Sequence, residues 1–212
     1  METIDQKTLE LLRKTKAIYT DGHFVGTSGR HMAVYLNKDA LYPHTEAVSQ
    51  MGALFAEKNK ELDIDLVAAP ALGGIILCTW TAYHLSQAKG KEILGVYTEK
   101  TPDKNQIFTR GYDQLVKGKK VLVIEDLTTT GGSVKKVVDS VRAVGGTVVG
   151  VCVMVNRDPE LVTSESIGAP FTSLAVLKAE SWEEKDCPLC KKNIAVNTNV
   201  GHGKKYFEAK TE

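Results

Sequence analysis

Long hydrophobic runs are missing from the sequence. No stretch approaches the roughly 18 to 20 consecutive apolar residues that a membrane-spanning helix needs, so we expect no membrane partner. The first residues, 1–16, are dense in Glu, Asp and Lys and cannot serve as the apolar segment of a secretory signal. With too few cysteines for a disulfide scaffold, a reduced, cytoplasmic setting is the default expectation.

An excess of charge of one sign is also missing. The formal net charge of +1 gives no electrostatic reason to expect nucleic acid or an anionic membrane as a partner. Cysteine is scarce, and four thiols in 212 residues do not make a disulfide scaffold. The chain lacks internal repeats and is long enough to bury one sizeable core, so we predict one domain over residues 1–212.

Periodic patterns predict two helices before residue 60. The first is an amphipathic helix from Leu9 to Ile18, and an extended stretch follows at residues 32–36. The second helix has one apolar face, which is formed by Val48, Met51, Leu54 and Phe55.

From residue 62 the pattern alternates between strand and helix. The apolar run at residues 121–124 is typical of a strand buried on both faces of a parallel sheet. The unit that begins there reads strand, helix, strand, which implies parallel strands with a right-handed crossover. The fold class is therefore α/β, with a mainly parallel twisted sheet flanked by helices. The other strands are expected at residues 64–69, 93–97, 147–155 and 171–177, and the helices at residues 75–86 and 133–144.

The strongest chemical signal is Glu-Asp-Leu-Thr-Thr-Thr-Gly-Gly-Ser at residues 125–133. Glu125 and Asp126 follow a buried strand, at the edge where open α/β sheets bind ligands. The loop leads into a helix N-terminus, whose N–H groups and dipole favour an anion. A phosphorylated ribose fits both halves, because carboxylates accept hydrogen bonds from sugar hydroxyls. The residues expected at the phosphate are Thr128, Thr129, Thr130, Gly131, Gly132 and Ser133.

A Gly-Gly pair alone more often marks a turn that needs glycine only for its backbone angles. Here the strand, the acidic pair, the threonine loop and the helix occur together, which favours a ligand site. Two other phosphate-binding motifs, G-x-x-x-x-G-K-[ST] and G-x-G-x-x-G, are absent from the sequence.

With these residues the sequence resembles the type I phosphoribosyltransferases, which use phosphoribosyl pyrophosphate (PRPP). The resemblance implies that family's fold, with a small hood formed by about residues 20–40 and the C-terminal tail. It implies that Glu125 and Asp126 hold the ribose hydroxyls and stabilise charge on the ribose ring, and that residues 128–133 hold the 5-phosphate. A second strand-to-helix turn resembles the family's pyrophosphate loop, and it supplies Ala71, Leu72, Gly73 and Gly74.

Three stretches resemble the orotate branch of this family. Residues 24–30, with Ser28, followed by Tyr35 resemble its hood. The strand that ends at Arg157 resembles one that carries a base-contacting arginine, and residues 167–174 resemble its closing strand. A guanidinium suits orotate, because this base carries a carboxylate and carbonyl oxygens that a forked donor can bind. The resemblance implies phosphoribosyl transfer from PRPP to orotate, with Ser28, Tyr35 and Arg157 at the base.

The sequence also departs from that branch. Thr27 stands where a lysine is usual, and Met32 and Ala33 replace a common Ser-Pro. Residues 98–114 contain no histidine, which the catalytic loop of the branch normally presents. Two alternatives remain open: transfer to a purine or another pyrimidine, and a PRPP-binding regulator without turnover. The lack of a basic or DNA-binding segment counts against the regulator.

The polar segment at residues 98–114 shows no periodicity, and we predict a long mobile loop of the kind that compact domains keep for function. Its cations, Lys100, Lys104 and Arg110, are expected to neutralise the departing pyrophosphate. The resemblance further implies Mg²⁺, held mainly by PRPP. It also implies a homodimer.

Cys187 and Cys190 form a Cys-x-x-Cys pair, which is half of a typical zinc site. Cys78 and Cys152 fall in predicted core elements. His202 could join the pair, but a full ligand set is not evident from the sequence. A reduced thiol pair in a turn is therefore the favoured interpretation, with zinc as the alternative. Surface or hydrogen-bonded positions are expected for the other histidines, which are His23, His31, His44 and His84.

Overall fold

The computed structural model describes residues 2–26, 29–178 and 180–211. Within these ranges, no helix combines the length and the apolar character that crossing a membrane requires. The helices are α1 (Ile4–Lys14), α2 (Thr45–Asn59), α3 (Gly73–Lys89), α4 (Tyr112–Val116), α5 (Gly132–Ala143), α6 (Ser164–Ile167), α7 (Pro188–Lys191) and α8 (Gly203–Thr211). The strands are β1 (Ile18–Tyr19), β2 (Phe24–Val25), β3 (His31–Met32), β4 (Tyr35–Leu36), β5 (Leu66–Pro70), β6 (Leu94–Lys100), β7 (Gln106–Phe108), β8 (Lys120–Thr128), β9 (Thr147–Asn156), β10 (Phe171–Val176) and β11 (Ser181–Trp182).

The main sheet has six strands in the order β10-β9-β8-β5-β6-β7, and all neighbours are parallel except β6 and β7. Strand β8 lies inside the sheet and alternates between two cores. Leu122 and Ile124 pack in the core that contains α1, α2 and α3, whereas Val121 and Val123 pack against α5 and α6. The apolar run is therefore buried on both faces, which confirms the predicted α/β sheet.

The first helix ends earlier than predicted. The prediction that it reaches Ile18 was wrong, because α1 ends at Lys14. Lys16 has φ 55°, and the Ala17 N–H then donates to the Leu12 carbonyl at 2.7 Å. This is a Schellman-type end, which usually has glycine at the position that lysine occupies here. Ile18 instead begins a strand that pairs with Leu36.

The polar segment is better ordered than predicted. The expectation of a loop without secondary structure was wrong for residues 98–108, where β6 and β7 form an antiparallel hairpin. Thr98 and Gln106 are buried in it, and the Thr98 hydroxyl donates to Gln106 Oε1 at 2.8 Å. The buried positions within residues 98–108 are occupied by these two polar side chains, which hydrogen-bond to each other. The sequence therefore lacks the alternation of apolar and polar residues that predicts a strand.

A second sheet joins both ends of the chain, and we call it the hood sheet. It is antiparallel and has the order β11-β3-β2. The N-terminal hairpin β2-β3 therefore receives its third strand from residues 181–182, near the other end of the sequence. The C-terminal tail continues along this hairpin, because the Asn197 and His202 N–H groups donate to the carbonyls of His23 and Val25.

Candidate active site

The acidic pair lies within the last part of β8, and both side chains are buried. Asp126 is 2% exposed and Glu125 is 7% exposed. Asp126 Oδ2 accepts two hydrogen bonds, from Lys38 Nζ at 2.5 Å and from the Tyr42 hydroxyl at 2.9 Å. Lys38 and Tyr42 follow β4, so the segment that leaves the hood contacts the main sheet at this carboxylate.

Burial sets the protonation of this cluster. Desolvation, together with the neighbouring Asp126 charge, raises the pKa of Glu125 well above its ordinary value. Burial lowers the pKa of Lys38, but the Asp126 charge and hydrogen bond outweigh it, so the net pKa is raised. Burial and the Asp126 charge also raise the pKa of Tyr42. Lys38 is therefore protonated and charged, and the Tyr42 hydroxyl keeps its proton and can donate it in a hydrogen bond. Glu125 becomes protonated at a higher pH than an ordinary glutamate.

The loop after β8 divides into a buried part and an exposed part. The hydroxyl of Thr128 is buried and accepts a hydrogen bond from the Gly131 N–H at 3.0 Å, so it shapes the loop. Gly131 has φ 76°, and a side chain there would meet Ile167. The first turn of α5 leaves N–H groups without helical partners, which suits an anion. The exposed residues around it are Thr129, Thr130, Gly132 and Ser133.

The turn between β5 and α3 packs directly against the side chain of Asp126. Its Ala71–Leu72 peptide bond is cis, and Leu72 is 83% exposed. Gly73 lies so close to Asp126 that an added Cβ would overlap the carboxylate. The backbone can reach this carboxylate only because Gly73 has no side chain. At Gly74 an added Cβ would instead crowd Ala69, since α3 packs tightly against its own strand.

These two turns line a cleft of about 390 Å³ that contains both carboxylates. Lys100 and Lys104 reach it from the hairpin, and Lys38 and Lys136 add two cations that sequence reasoning missed. Arg110 is not among the described residues that line the cleft. Its guanidinium is bound to Glu99, with Nη2 2.8 Å from Oε1.

A second cavity of about 650 Å³ adjoins the cleft and shares Lys38 and Leu127 with it. Tyr35 and Arg157 line this cavity, so the structure brings both together. Arg157 Nε is buried and has no hydrogen-bond partner among the residues that the structure describes. Burial lowers the pKa of this guanidinium, against the opposing effect of Tyr35. The predicted base contact Ser28 lies outside the described residues.

Sequence reasoning missed Lys38 and Tyr42 because no local motif marks them. They lie 88 and 84 positions from Asp126 in the chain, and only the fold brings them together. The acidic pair and the threonine loop are contiguous in sequence, and for that reason they were recognisable.

Known proteins share this architecture. The family described as phosphoribosyl transferase domain matches residues 37–166. The orotate phosphoribosyltransferase of Caldanaerobacter subterraneus subsp. tengcongensis is 38% identical over 189 residues, which cover 89% of this chain and 93% of that protein. The structure of Mycobacterium tuberculosis H37Rv orotate phosphoribosyltransferase with Fe(III) dicitrate has a TM-score of 0.64 at 28% identity, covering 81% and 97% of the two chains. The same enzyme with PRPP has a TM-score of 0.57 at 25% identity, covering 81% and 89%.

Proposed function

The chain belongs to the phosphoribosyltransferase family, in its orotate branch, and from this premise we propose that it transfers the 5-phosphoribosyl group of PRPP to orotate. The products are orotidine 5′-monophosphate and pyrophosphate. The observation that carries the proposal is a cleft that contains the acidic pair and adjoins a second, larger cavity through Lys38 and Leu127. The cleft is rich in lysine, and the larger cavity contains the buried Arg157 Nε, which has no hydrogen-bond partner within the described part of the chain.

PRPP spans the acidic pair in this proposal. Glu125 and Asp126 accept hydrogen bonds from the ribose hydroxyls. The 5-phosphate binds at the N-terminus of α5, where exposed hydroxyls add donors. Thr128 shapes this loop, because its hydroxyl accepts a hydrogen bond from the Gly131 N–H, and its own contact with the phosphate stays a prediction. The exposed donors assigned to the 5-phosphate are Thr129, Thr130, Gly132 and Ser133.

The pyrophosphate occupies the cleft next to the turn at residues 71–74. Lys100 and Lys104 line this cleft and offset the charge that grows on the leaving group. The role of Arg110 at the pyrophosphate stays a prediction. Its guanidinium donates to Glu99 and would have to leave this carboxylate to reach the leaving group. Mg²⁺ fits as an ion carried mainly by the substrate: few protein carboxylates line the cleft, and Mg²⁺ prefers phosphate oxygens and water. When bound, it supplies further charge neutralisation.

Orotate occupies the larger cavity, on the opposite side of the ribose from the pyrophosphate. Arg157 donates to its carboxylate or carbonyl oxygens, which gives the buried Nε an acceptor. Tyr35 and the predicted contact Ser28 complete the base site. As the bond to pyrophosphate breaks, positive charge grows on the ribose ring, and Glu125 and Asp126 stabilise it. We keep the cytoplasmic location and the homodimer as predictions.

One assay tests the proposal. The protein is mixed with Mg²⁺ and PRPP, orotate or another base is added, and nucleotide formation is followed. Turnover with orotate is the expected result. Turnover with a purine or another pyrimidine only would establish a different base specificity. PRPP binding by calorimetry without turnover on any base would make the protein a regulator.

A further inference from the structure

Four metal-ligating side chains from both ends of the chain converge at the hood sheet. His23 and His31 belong to the N-terminal hairpin, and Cys187 and Cys190 to the C-terminal Cys-x-x-Cys pair. One ligand atom from each lies within 4.8 Å of all the others. Three of the four residues are buried, and Cys190 is half-buried. We propose that this cluster, the hood cluster, binds a structural zinc ion.

The distances between sulfur and nitrogen fit a tetrahedral ion. Cys187 Sγ lies 3.6 Å from His23 Nε2, and Cys190 Sγ lies 3.8 Å from it. Cys190 Sγ lies 3.4 Å from His31 Nδ1. With Zn–S of about 2.3 Å and Zn–N of about 2.0 Å, tetrahedral geometry separates such ligands by roughly 3.6 Å.

The two histidine nitrogens are closer than zinc requires. His23 Nε2 and His31 Nδ1 lie 2.7 Å apart, which is a hydrogen-bond distance. Two nitrogens on one tetrahedral zinc lie roughly 3.3 Å apart. Binding therefore separates the two rings by about half an ångström, which a small rotation of either side chain provides.

A backbone carbonyl orients His23 for metal binding. Its Nδ1 atom lies 2.7 Å from the carbonyl oxygen of Ile194. A carbonyl only accepts, so Nδ1 carries the proton and Nε2 directs its lone pair at the cluster. Histidine ligands of zinc are commonly oriented in this way by a hydrogen bond from the other ring nitrogen.

The ligand set favours zinc in a closed, structural site. Two thiolates and two neutral imidazoles fill a tetrahedral shell without leaving a position for water. The thiolates also cancel the charge of the ion, so the hood buries no net charge. In sequence these ligands are far apart, with 164 positions between His23 and Cys187, so zinc would join the two ends of the chain.

The ion would also support the base-side cavity. Arg30 follows the hairpin turn next to His31, and its Nε and Nη2 atoms donate to Ser181 in β11. Arg30, Met32 and Ser181 all line the 650 Å³ cavity. Losing the ion should loosen this wall, so that the KM for orotate rises more than the KM for PRPP. This consequence rests on the proposed function, whereas zinc binding does not.

Metal analysis of the purified chain tests the proposal. After dialysis against metal-free buffer, we expect about one zinc ion per chain by mass spectrometry. His31→Ala and Cys190→Ser should each lose most of this zinc. His44→Ala and Cys152→Ala are the matched controls, because both residues lie outside the cluster, and they should keep it. Circular dichroism identifies any variant that fails to fold.

A second measurement needs no variant. Zinc is removed with a chelator and Co²⁺ is added, which should give the visible absorption of tetrahedral cobalt with thiolate ligands. Wild-type protein that contains no zinc and shows no such spectrum would overturn the proposal. The cluster would then be a hydrogen-bonded group of thiols and imidazoles. If the protein contains zinc but does not turn over orotate, only the proposed function is refuted. If it turns over orotate but contains no zinc and gives no cobalt spectrum, only the zinc site is refuted.

Discussion

Lys38 Nζ lies 2.5 Å from Asp126 Oδ2, although 88 positions separate the two residues in the chain. This ion pair joins the segment that leaves the hood to the strand that carries the acidic pair. Asp126 thus has a cation and a tyrosine hydroxyl as hydrogen-bond donors, whereas Glu125 accepts a hydrogen bond from the Asp126 N–H and interacts with the Lys38 charge. The two acids are therefore unequal before any substrate binds.

Asp126→Asn should reduce turnover by on the order of 10²-fold or more, because a charged acceptor for the ribose is lost where transition-state charge develops. The fold should persist, since the change is isosteric. Turnover in the PRPP and orotate assay measures the effect. Asp139→Asn, an exposed position on α5, is the matched control and should be neutral. Activity within a few-fold of wild type in Asp126→Asn would refute the role of the acidic pair.

Arg157→Ala should raise the KM for orotate roughly 10-fold or more, as expected when a hydrogen bond to a charged group is lost. The KM for PRPP should change far less, because Arg157 lines the larger cavity and is not among the described residues that line the cleft with the acidic pair. Initial rates with each substrate varied in turn give both constants. Arg13→Ala on α1 is the matched control. An equal rise in both constants would remove the case for base recognition at this residue.

Lys38→Met should move the acidic limb of the kcat/KM profile to higher pH. The Lys38 charge favours ionised Glu125, so the pKa of Glu125 rises further when this cation is removed. The active ionised form then requires a higher pH. Rates measured between about pH 5 and 9 detect the shift. Lys117→Met, an exposed position beyond α4, should leave the limb in place, and an unmoved limb in Lys38→Met would contradict the coupling.

Glu125→Gln should stabilise the substrate-free protein at alkaline pH. The folded pKa of Glu125 is raised, so the folded state binds its proton more tightly than the unfolded state does. Stability is therefore full below the unfolded pKa and falls as pH rises through the folded one. Glutamine removes this loss, and we expect Tm to rise by a few degrees, which is the scale of about 1 kcal/mol in a chain of this size. Thermal unfolding of wild type and Glu125→Gln at several pH values checks this. The two proteins should have equal Tm values in acid, where Glu125 is protonated, and this serves as the internal control. A pH-independent difference would show that the effect is not titration of Glu125.

Local sequence patterns were sufficient to predict most of the sheet and helices, and the part of the site that lies in the loop after β8. The apolar run in β8 and the valines of α5 follow periods that packing imposes, so both elements were predictable. The threonine loop was recognisable because its residues are neighbours in sequence. Hairpin β6-β7 was not, since Thr98 and Gln106 satisfy each other and replace the apolar alternation that normally marks a buried strand.

Long-range contacts could not be read from the sequence. Tyr42 and Asp126 meet because the segment after β4 crosses the end of β8. The Cys-x-x-Cys pair is half of the proposed zinc ligand set, and the other half is two histidines that the hood sheet brings near. His202, the partner considered from the sequence, is instead tied to Val25 through its backbone. Spacing along the chain carries no information about such contacts.

The hood sheet can be completed only late in synthesis, because its strand β11 comes from the C-terminal part of the chain. Synthesis proceeds from the first residue to the last, and β11 is the last strand to emerge among those in the described residues. Until then, β3 has an open edge that other polypeptides could pair with. The N-terminus of α5, where we propose that the 5-phosphate binds, is made about fifty residues earlier. In the proposed site, the residues that bind the sugar phosphate are therefore synthesised before the strand that completes the wall of the base-side cavity.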